Sequence, residues 1–249
     1  VSPTAQGVGG SARSPEPRPQ LGTPRVHHTR TGSTSVDARE LALAGAPHGT
    51  LVTAHEQHAG RGRHGRSWHA PARTALLCSL VLRDPPALLS ITAGVAVAEL
   101  AGPPALLKWP NDVLLGGRKV SGILVEGRPQ EHWAVLGIGV NVALAPQDLP
   151  EDLHHIAGTL GLSADAIEPT LARLLELLEY WLAAGPAQAL EAWRARDALL
   201  GVAVEWRDGG GVGAGIDERG HLLVELGDGS IQTLDAGEVR LHRPRGPFR

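Results

Sequence analysis

Residues 75–82 read ALLCSLVL, a nearly continuous apolar run. Such a run fits a strand buried inside a sheet, and it limits the architectures open to the chain more than any other stretch. What surrounds it agrees. GTLVTAHEQ (49–57) predicts a short strand ahead of it. Pro85 and Pro86 open a helix through ALLSITAGVAVAELAG, whose apolar character all round predicts burial. ALLKWPND (105–112) predicts a strand ending in a turn, and VLLGGRKVSGILVEG a hairpin with Gly116-Gly117 at its tip. HWAVLGIGVNVAL predicts one more strand. Upstream, TGSTSVDARELALAG reads as a loop entering a helix, with Thr34 and Asp37 spaced as a capping box and Gly45 as the stop. The order strand, loop, strand, helix, meander gives an α/β (α+β) domain with a mixed, largely antiparallel sheet.

Two helical patterns follow, EPTLARLLELLEYWLAAG and PAQALEAWRARDALLG, with Leu171, Leu174, Leu175 and Leu178 on one face as core. From Val202 the pattern changes to short strands between Gly and Asp turns, which suggests a small barrel and a boundary near Gly201. The first twenty residues, VSPTAQGVGGSARSPEPRPQ, are rich in Pro, Gly and Ser and poor in large apolar side chains. They read as a disordered tail. The expected organisation is therefore 1–22 tail, 23–200 catalytic domain, and 201–249 small β-barrel domain with a short basic end.

Composition excludes several classes. A net charge of -3 over 249 residues gives no global attraction to DNA or an acidic membrane, and no apolar run is long enough to span a bilayer. The single cysteine, Cys78, forms no internal disulfide, which suits a reducing cytoplasm. Its apolar neighbours mark it as an inert core thiol.

AGRGRHGRSW (59–68) holds three glycines and three arginines in ten residues, with no acidic side chain. Gly60, Gly62 and Gly65 match the dinucleotide pattern G-x-G-x-x-G, but that turn needs a helix opening at the third glycine. RSWHAPART carries Pro71 early and has no helical period. A P-loop fails likewise and lacks its lysine. A mobile strand-to-strand loop remains, bringing backbone N–H groups and arginines to an anion. From Gln57 to Arg83 there is no Asp or Glu, while Arg61, Arg63, Arg66, Arg73 and Arg83 are present. The plain alternative is a solvated basic loop. Nucleic-acid binding is the weaker one, since an aromatic content of 3% leaves little for base stacking.

A second motif, KWPNDVLLGGRKVSGILVEG, sets Lys108, Asp112 and Lys119 in an otherwise apolar region. Each has an ordinary reading: a snorkelling strand-end lysine, a turn-capping aspartate, a surface lysine beside a hairpin tip. Alternation in KVSGILVE puts Lys119, Ser121 and Ile123 on one strand face, where a lysine suits a ligand carboxylate or phosphate.

With both motifs in view the chain resembles bacterial biotin–protein ligases. The matching stretches are GSTS, EQHAGRGRHGRSW, KWPNDVLL, RKVSGILVE, GIGVNV and GIDERGHLLVE, in the family's order, from about Thr29 to about His242. The resemblance implies a class II synthetase-like ligase fold with a C-terminal SH3-like β-barrel. It implies that biotin is activated with ATP to biotinoyl-AMP, with pyrophosphate released. The biotinoyl group then passes to a lysine of a biotin carboxyl carrier domain. It also implies Arg61, Gly62 and Arg63 closing over the adenylate, with Lys119 and Arg63 as catalytic cations at the biotin carboxylate and α-phosphate. Ser33, Thr34, Ser35 and Gln57 would contact biotin, with Gly122 allowing close approach. Arg66, Trp68, Lys108, Asn111 and Asn141 would contact the nucleotide, Trp68 packing on adenine. Asp112 would help hold Mg²⁺. The expected partners are biotin, ATP, the carrier and a second subunit, with neither a membrane nor specific DNA among them.

Some positions depart from the family. Ser35 stands where asparagine is usual, with shorter reach toward the ureido group. His64 and Ser67 replace residues that are often basic, and Arg73 and Thr74 stand where glycine is frequent. Some members carry an N-terminal helix-turn-helix repressor domain; about two dozen tail-like residues are too few for one. A lipoate ligase of related fold is the alternative within the enzyme class. The loop's arginine spacing and the terminal barrel favour biotin.

Overall fold

A computed structural model describes residues 20–235 and 237–241. Seven strands form the main sheet: β1 (Arg25–His28), β2 (Leu51–Ala54), β3 (Ala75–Arg83), β4 (Leu106–Lys108), β5 (Asp112–Leu115), β6 (Arg118–Arg128) and β7 (Trp133–Asn141). Their order is β1-β2-β3-β7-β6-β5-β4, with β1 and β2 parallel and every other pair antiparallel. The mixed, largely antiparallel sheet expected from sequence is therefore present. β1 is the strand that the sequence did not disclose; RVHH is too short and too polar to signal itself.

The apolar run became β3, buried along its whole length apart from its last residue. Its two faces do different work. Leu76, Cys78, Leu80 and Leu82 join the main core, under helices α2 (Leu89–Ala101), α3 (Ile167–Ala184) and α4 (Pro186–Arg194). On the other face Val81 joins Val52, Trp133 and Val135 beneath helix α1 (Thr34–Leu43). Because α1 covers only part of that second face, a cleft remains beside it.

α2 begins at Leu89, three residues beyond Pro86, and its residues 91–98 are all buried. Gly94 makes its packing possible, since a Cβ there would lie 2.6 Å from the fully buried Trp193 of α4. Along α3 the buried leucines are Leu171, Leu174, Leu177 and Leu178, with Leu175 only partly covered. Gly116 and Gly117, both at positive φ, turn the β5–β6 hairpin as expected.

Three expectations need correction. Thr34 is not the helix cap. Ser33 is, without a side-chain cap bond, and Asp37 accepts from Thr31 Oγ1 instead. The stop is right: Gly45 has positive φ, and Gly45 N and Ala46 N donate to Ala42 O and Leu41 O, a Schellman closure. Alternation along β6 is broken by a bulge, since Val113 pairs with Ser121 but Leu114 with Lys119. Lys119 therefore does not share a face with Ser121 and Ile123; its Nζ lies 3.2 Å from where a Cβ on Gly122 would stand. Order also begins before Thr23, because Leu21 is buried in the main core and its N–H donates to Glu179. Residues 1–19 of the expected tail, and the basic end beyond Leu241, lie outside the described residues.

From Ala203 the described chain is all strand: β8 (Ala203–Trp206), β9 (Gly209–Ile216), β10 (Leu222–Glu225), β11 (Ile231–Leu234) and β12 (Arg240–Leu241). They form one antiparallel sheet in the order β11-β10-β9-β8-β12, and no pairing among the described residues closes it. Val204, Ile216, Leu222, Val224 and Val239 belong to the same buried cluster as the main sheet.

Candidate active site

The cleft beside α1 has a floor, two ends and a lid. Gly122 on β6 and Gly139 on β7 are directly paired across the two strands and form the floor. The Trp68 indole lies on them: a Cβ on Gly139 would come within 2.6 Å of its ring, and one on Gly122 within 3.0 Å. Glycine is required at both positions because only a bare backbone admits an aromatic ring this close. Trp68 Nε1 is buried there with no hydrogen-bond partner.

One end is built of hydroxyl and amide groups. Ser33, Thr34 and Ser35, at the first turn of α1, line it together with Gln57. Gln57 Oε1 accepts from Thr34 N (2.7 Å) and Thr34 Oγ1 (3.0 Å). The helix N-terminus adds its own partial positive charge.

The other end is cationic. Lys119 Nζ donates to Asp112 Oδ1 at 2.6 Å, and Lys108 Nζ stands 3.8 Å from Asp112 Oδ2. β4, β5 and β6 place them: the register pairs Lys108 with Asp112, and Asp112 with Gly122. Asn111 fixes the turn between β4 and β5 against β6, donating from Nδ2 to Ile123 O at 2.8 Å and accepting Ile123 N–H at its own carbonyl. Burial pulls the Lys108 ammonium below the usual lysine range, against the opposing pull of Asp112. Burial likewise lowers Arg63, again opposed by Asp112. Arginine stays charged regardless, so the Arg63 guanidinium adds a third cation to the field of the carboxylate that the two lysines share.

The lid is the arginine–glycine loop between β2 and β3. Gly62 N donates to Arg66 O and Trp68 N to Gly60 O, so the loop folds back on itself around a short turn at Arg63–Gly65. Gly60 is needed because a Cβ there would lie 2.6 Å from Trp68 O. His64 takes a left-handed φ of 54°. Arg61 pairs with Glu126 at 2.9 Å, and Arg66 pairs with Glu238 from the C-terminal sheet's end of the chain. No helix follows the loop, as the sequence indicated.

The cleft thus brings together Ser33, Thr34, Ser35, Gln57, Arg61, Gly62, Arg63, Arg66, Trp68, Lys108, Asn111, Asp112, Lys119 and Gly122, with about 880 Å³ of atom-free space including its open mouth. Asn141 is the exception. It lies outside the lining and is buried, donating from Nδ2 to Gly158 O (2.8 Å) and Lys119 O (3.4 Å). It therefore holds the backbone at Lys119 from behind. Cys78 contributes to the wall, but burial pushes its thiol up to about 12 and it is inert. Sequence reading missed Gly137, Gly139 and Glu238. The two glycines sit in GIGVNV, where their spacing of two on a strand was the available signal. Nothing near Glu238 announced it.

Residues 23–142 match the family model described as the biotin/lipoate A/B protein ligase family, and residues 200–241 the biotin protein ligase C terminal domain. A biotin--[acetyl-CoA-carboxylase] ligase of Mycobacterium tuberculosis is 39% identical over 84% of this chain and 86% of its own length. The bifunctional ligase/repressor BirA of Bacillus subtilis is 33% identical over 89% of this chain and 75% of its own. Among solved structures, a biotin protein ligase from Aquifex aeolicus in complex with biotin and ATP superposes with a TM-score of 0.75 at 27% identity, covering 88% of this chain and 98% of that one.

Proposed function

This chain belongs to the biotin/lipoate protein ligase family, and from that membership we propose that it is an ATP-dependent biotin–protein ligase. It activates biotin and transfers it to a lysine of a biotin carboxyl carrier domain of acetyl-CoA carboxylase or a related carboxylase. The observation that carries this reading is one cleft with a neutral hydroxyl–amide end, a cationic end and a basic lid. A molecule with a polar uncharged head and a carboxylate tail fits it, provided that a phosphate meets the tail.

In the first step a biotin carboxylate oxygen attacks the α-phosphorus of ATP. An O–P bond forms, the α–β bridging P–O bond breaks, and pyrophosphate leaves with the electron pair. Two anions must approach, so cations and backbone donors fixed in advance lower the barrier. Lys119 and Arg63 take that role, and ligand oxygens replace Asp112 as partners of Lys119. Lys108 and Arg66 meet the nucleotide's phosphates, with Asn111 holding the turn that carries Asp112. Trp68, seated on the floor glycines, packs against the adenine from below, and Ser33, Thr34, Ser35 and Gln57 take the ureido head. Arg61 and Gly62 close the loop, with Gly122 beneath. In the second step a neutral lysine amine of the carrier attacks the acyl carbon, the C–O bond to phosphate breaks, and AMP leaves while the amine loses a proton.

Mg²⁺ would enter with ATP and offset charge on its phosphates. Among the described residues no group of three His, Cys, Asp or Glu is placed to hold a metal. Asp112 would be the ion's protein anchor; because two lysines already neutralise that carboxylate, phosphate and water oxygens would have to supply the rest of its coordination. We assign residues 23–200 to catalysis and 201–249 to a small module of SH3-like barrel type, which contributes Glu238 to the lid. No described helix is long and apolar enough to cross a membrane, and the lone cysteine fits a cytoplasmic enzyme. Among the described residues β1 pairs only with β2 and ends the sheet, and this edge is a surface for the carrier or a second subunit.

Incubation with ATP and either biotin or lipoate, following pyrophosphate, tests the reading. Release with biotin is expected. Release with lipoate alone would move the chain to the other branch of its family.

A further inference from the structure

Ser79 lies behind the hydroxyl end, on β3, fully buried and outside the cleft lining. Its Oγ is 2.9 Å from Thr34 Oγ1 and 3.1 Å from Ser35 Oγ. Ser79 pairs across the sheet with Gly137, where a Cβ would stand 2.6 Å from Ser35 Oγ, so the missing side chain at 137 makes room for the Ser35 hydroxyl.

The protons in this cluster can be ordered by elimination. Gln57 Oε1 only accepts, and its orientation is fixed because Thr34 N–H must donate to it. Thr34 has one hydroxyl proton, and it goes to the same Oε1. Thr34 Oγ1 is then the acceptor in its contact with Ser79, so Ser79 donates there. With its proton used, Ser79 Oγ accepts from Ser35. The chain runs one way: Ser35 to Ser79 to Thr34 to Gln57. Its two ends lie in the cleft wall with opposite character. Gln57 presents its amide N–H donors, and Ser35, its proton committed, presents lone pairs.

We infer that Ser79 is a positioning residue that sets the hydrogen-bond polarity of the cleft, making Ser35 an acceptor for a ligand N–H. This rests on the biotin reading. A cyclic urea offers a carbonyl oxygen beside N–H donors, which suits a donor at Gln57 and an acceptor at Ser35. It also gives the serine at position 35 a consequence of its own: a hydroxyl is ambivalent, and here a second hydroxyl removes the ambivalence.

The test compares Kd by calorimetry for biotin and for the two cyclic carbamate analogues in which one or other ureido N–H is replaced by ring oxygen. In the wild type, one analogue sets an acceptor against Ser35 and binds poorly. In Ser79→Ala the Ser35 proton is released and can turn to that oxygen. The ratio of analogue to biotin Kd should fall by about tenfold, the worth of one hydrogen bond. Ser79→Thr keeps the hydroxyl and should restore the ratio. Ser35→Ala should lower the ratio without touching β3, which keeps the test available if Ser79→Ala does not fold. In that background Ser79→Ala should add nothing. Equal weakening of all three ligands with an unchanged ratio would reduce Ser79 to packing and overturn the inference. A wild type that binds no biotin would instead remove the functional reading, and this inference with it.

Discussion

At the scale of single residues, the chemistry is concentrated on two lysines that share Asp112. If Lys119 neutralises charge between the carboxylate and the α-phosphate, Lys119→Ala should slow pyrophosphate release about a hundredfold at saturating substrates, the loss of one preorganised donor. The fold should survive, because the backbone bonds from Lys119 N to Ile156 O and from Gly158 N to Lys119 O do not involve the side chain. Lys119→Arg should recover only part, since a planar fork does not reproduce a compact ammonium. Wild-type rates in Lys119→Ala would remove it from the mechanism. Lys108 yields a pH prediction. Burial lowers its pKa in the free enzyme, so kcat/KM for ATP should fall on an alkaline limb below the ordinary lysine value of about 10.5. A lysine whose folded pKa is depressed binds fewer protons folded than unfolded, so its contribution to stability rises with pH across that window. Lost activity there would thus report lost charge, not unfolding from this group. Lys108→Arg should move the limb upward, and an unmoved limb would assign it elsewhere. The types and positions of these residues were legible in KWPND and RKVSG, but the direction of Lys119 was not. Strand alternation set it beside Ser121 and Ile123. The bulge that turns it to Gly122 leaves no mark on a single sequence, because β6 reads as an ordinary strand without it.

At the scale of elements, the arginine–glycine loop is tied by a few backbone bonds and two ion pairs with partly exposed partners. Exposed pairs contribute little, and ordering three glycines is costly in entropy. The loop should therefore exchange its amide protons quickly without ligand and slowly with biotinoyl-AMP bound. Arg63→Gly should raise exchange in the bound state and let the adenylate escape to solvent, measured as biotinylation of unrelated amines. Equal exchange across residues 60–68 with and without adenylate would count against a closing lid. Sequence located this loop and ruled out a helix after it, since Pro71 and a missing period are local facts. It misjudged the neighbouring helix start for the converse reason. Thr34 and Asp37 have capping-box spacing, but Thr34 is drawn to Gln57 and Ser79, which are 23 and 45 residues away. Local spacing cannot disclose a partner brought in by the sheet.

For the whole molecule, the change of pattern at Gly201 marks a change of architecture without dividing the core. Leu21 near one end of the described chain and Val239 near the other belong to one buried cluster. Trp109 of the catalytic region donates to Gly220 O at 2.9 Å, and Arg194 of α4 to Ile216 O at 3.1 Å. Two units joined in this way should unfold together. Thermal melts followed by circular dichroism and by fluorine NMR of fluorotryptophan should therefore coincide, because the Trp206 resonance reports the C-terminal sheet while the other five of the six tryptophans report the rest. The same continuity reaches the other end. A chain beginning at Thr23 loses the buried Leu21 and its bond to Glu179. At about 2 kcal/mol for a core leucine, the whole transition should fall by roughly 4–8 °C relative to a chain beginning at Gln20. Both probes should move by the same amount. If the catalytic signal shifted while the Trp206 signal stayed in place, the shared core would not be cooperative, and the C-terminal sheet would be a separate folding unit that only lends Glu238 to the lid.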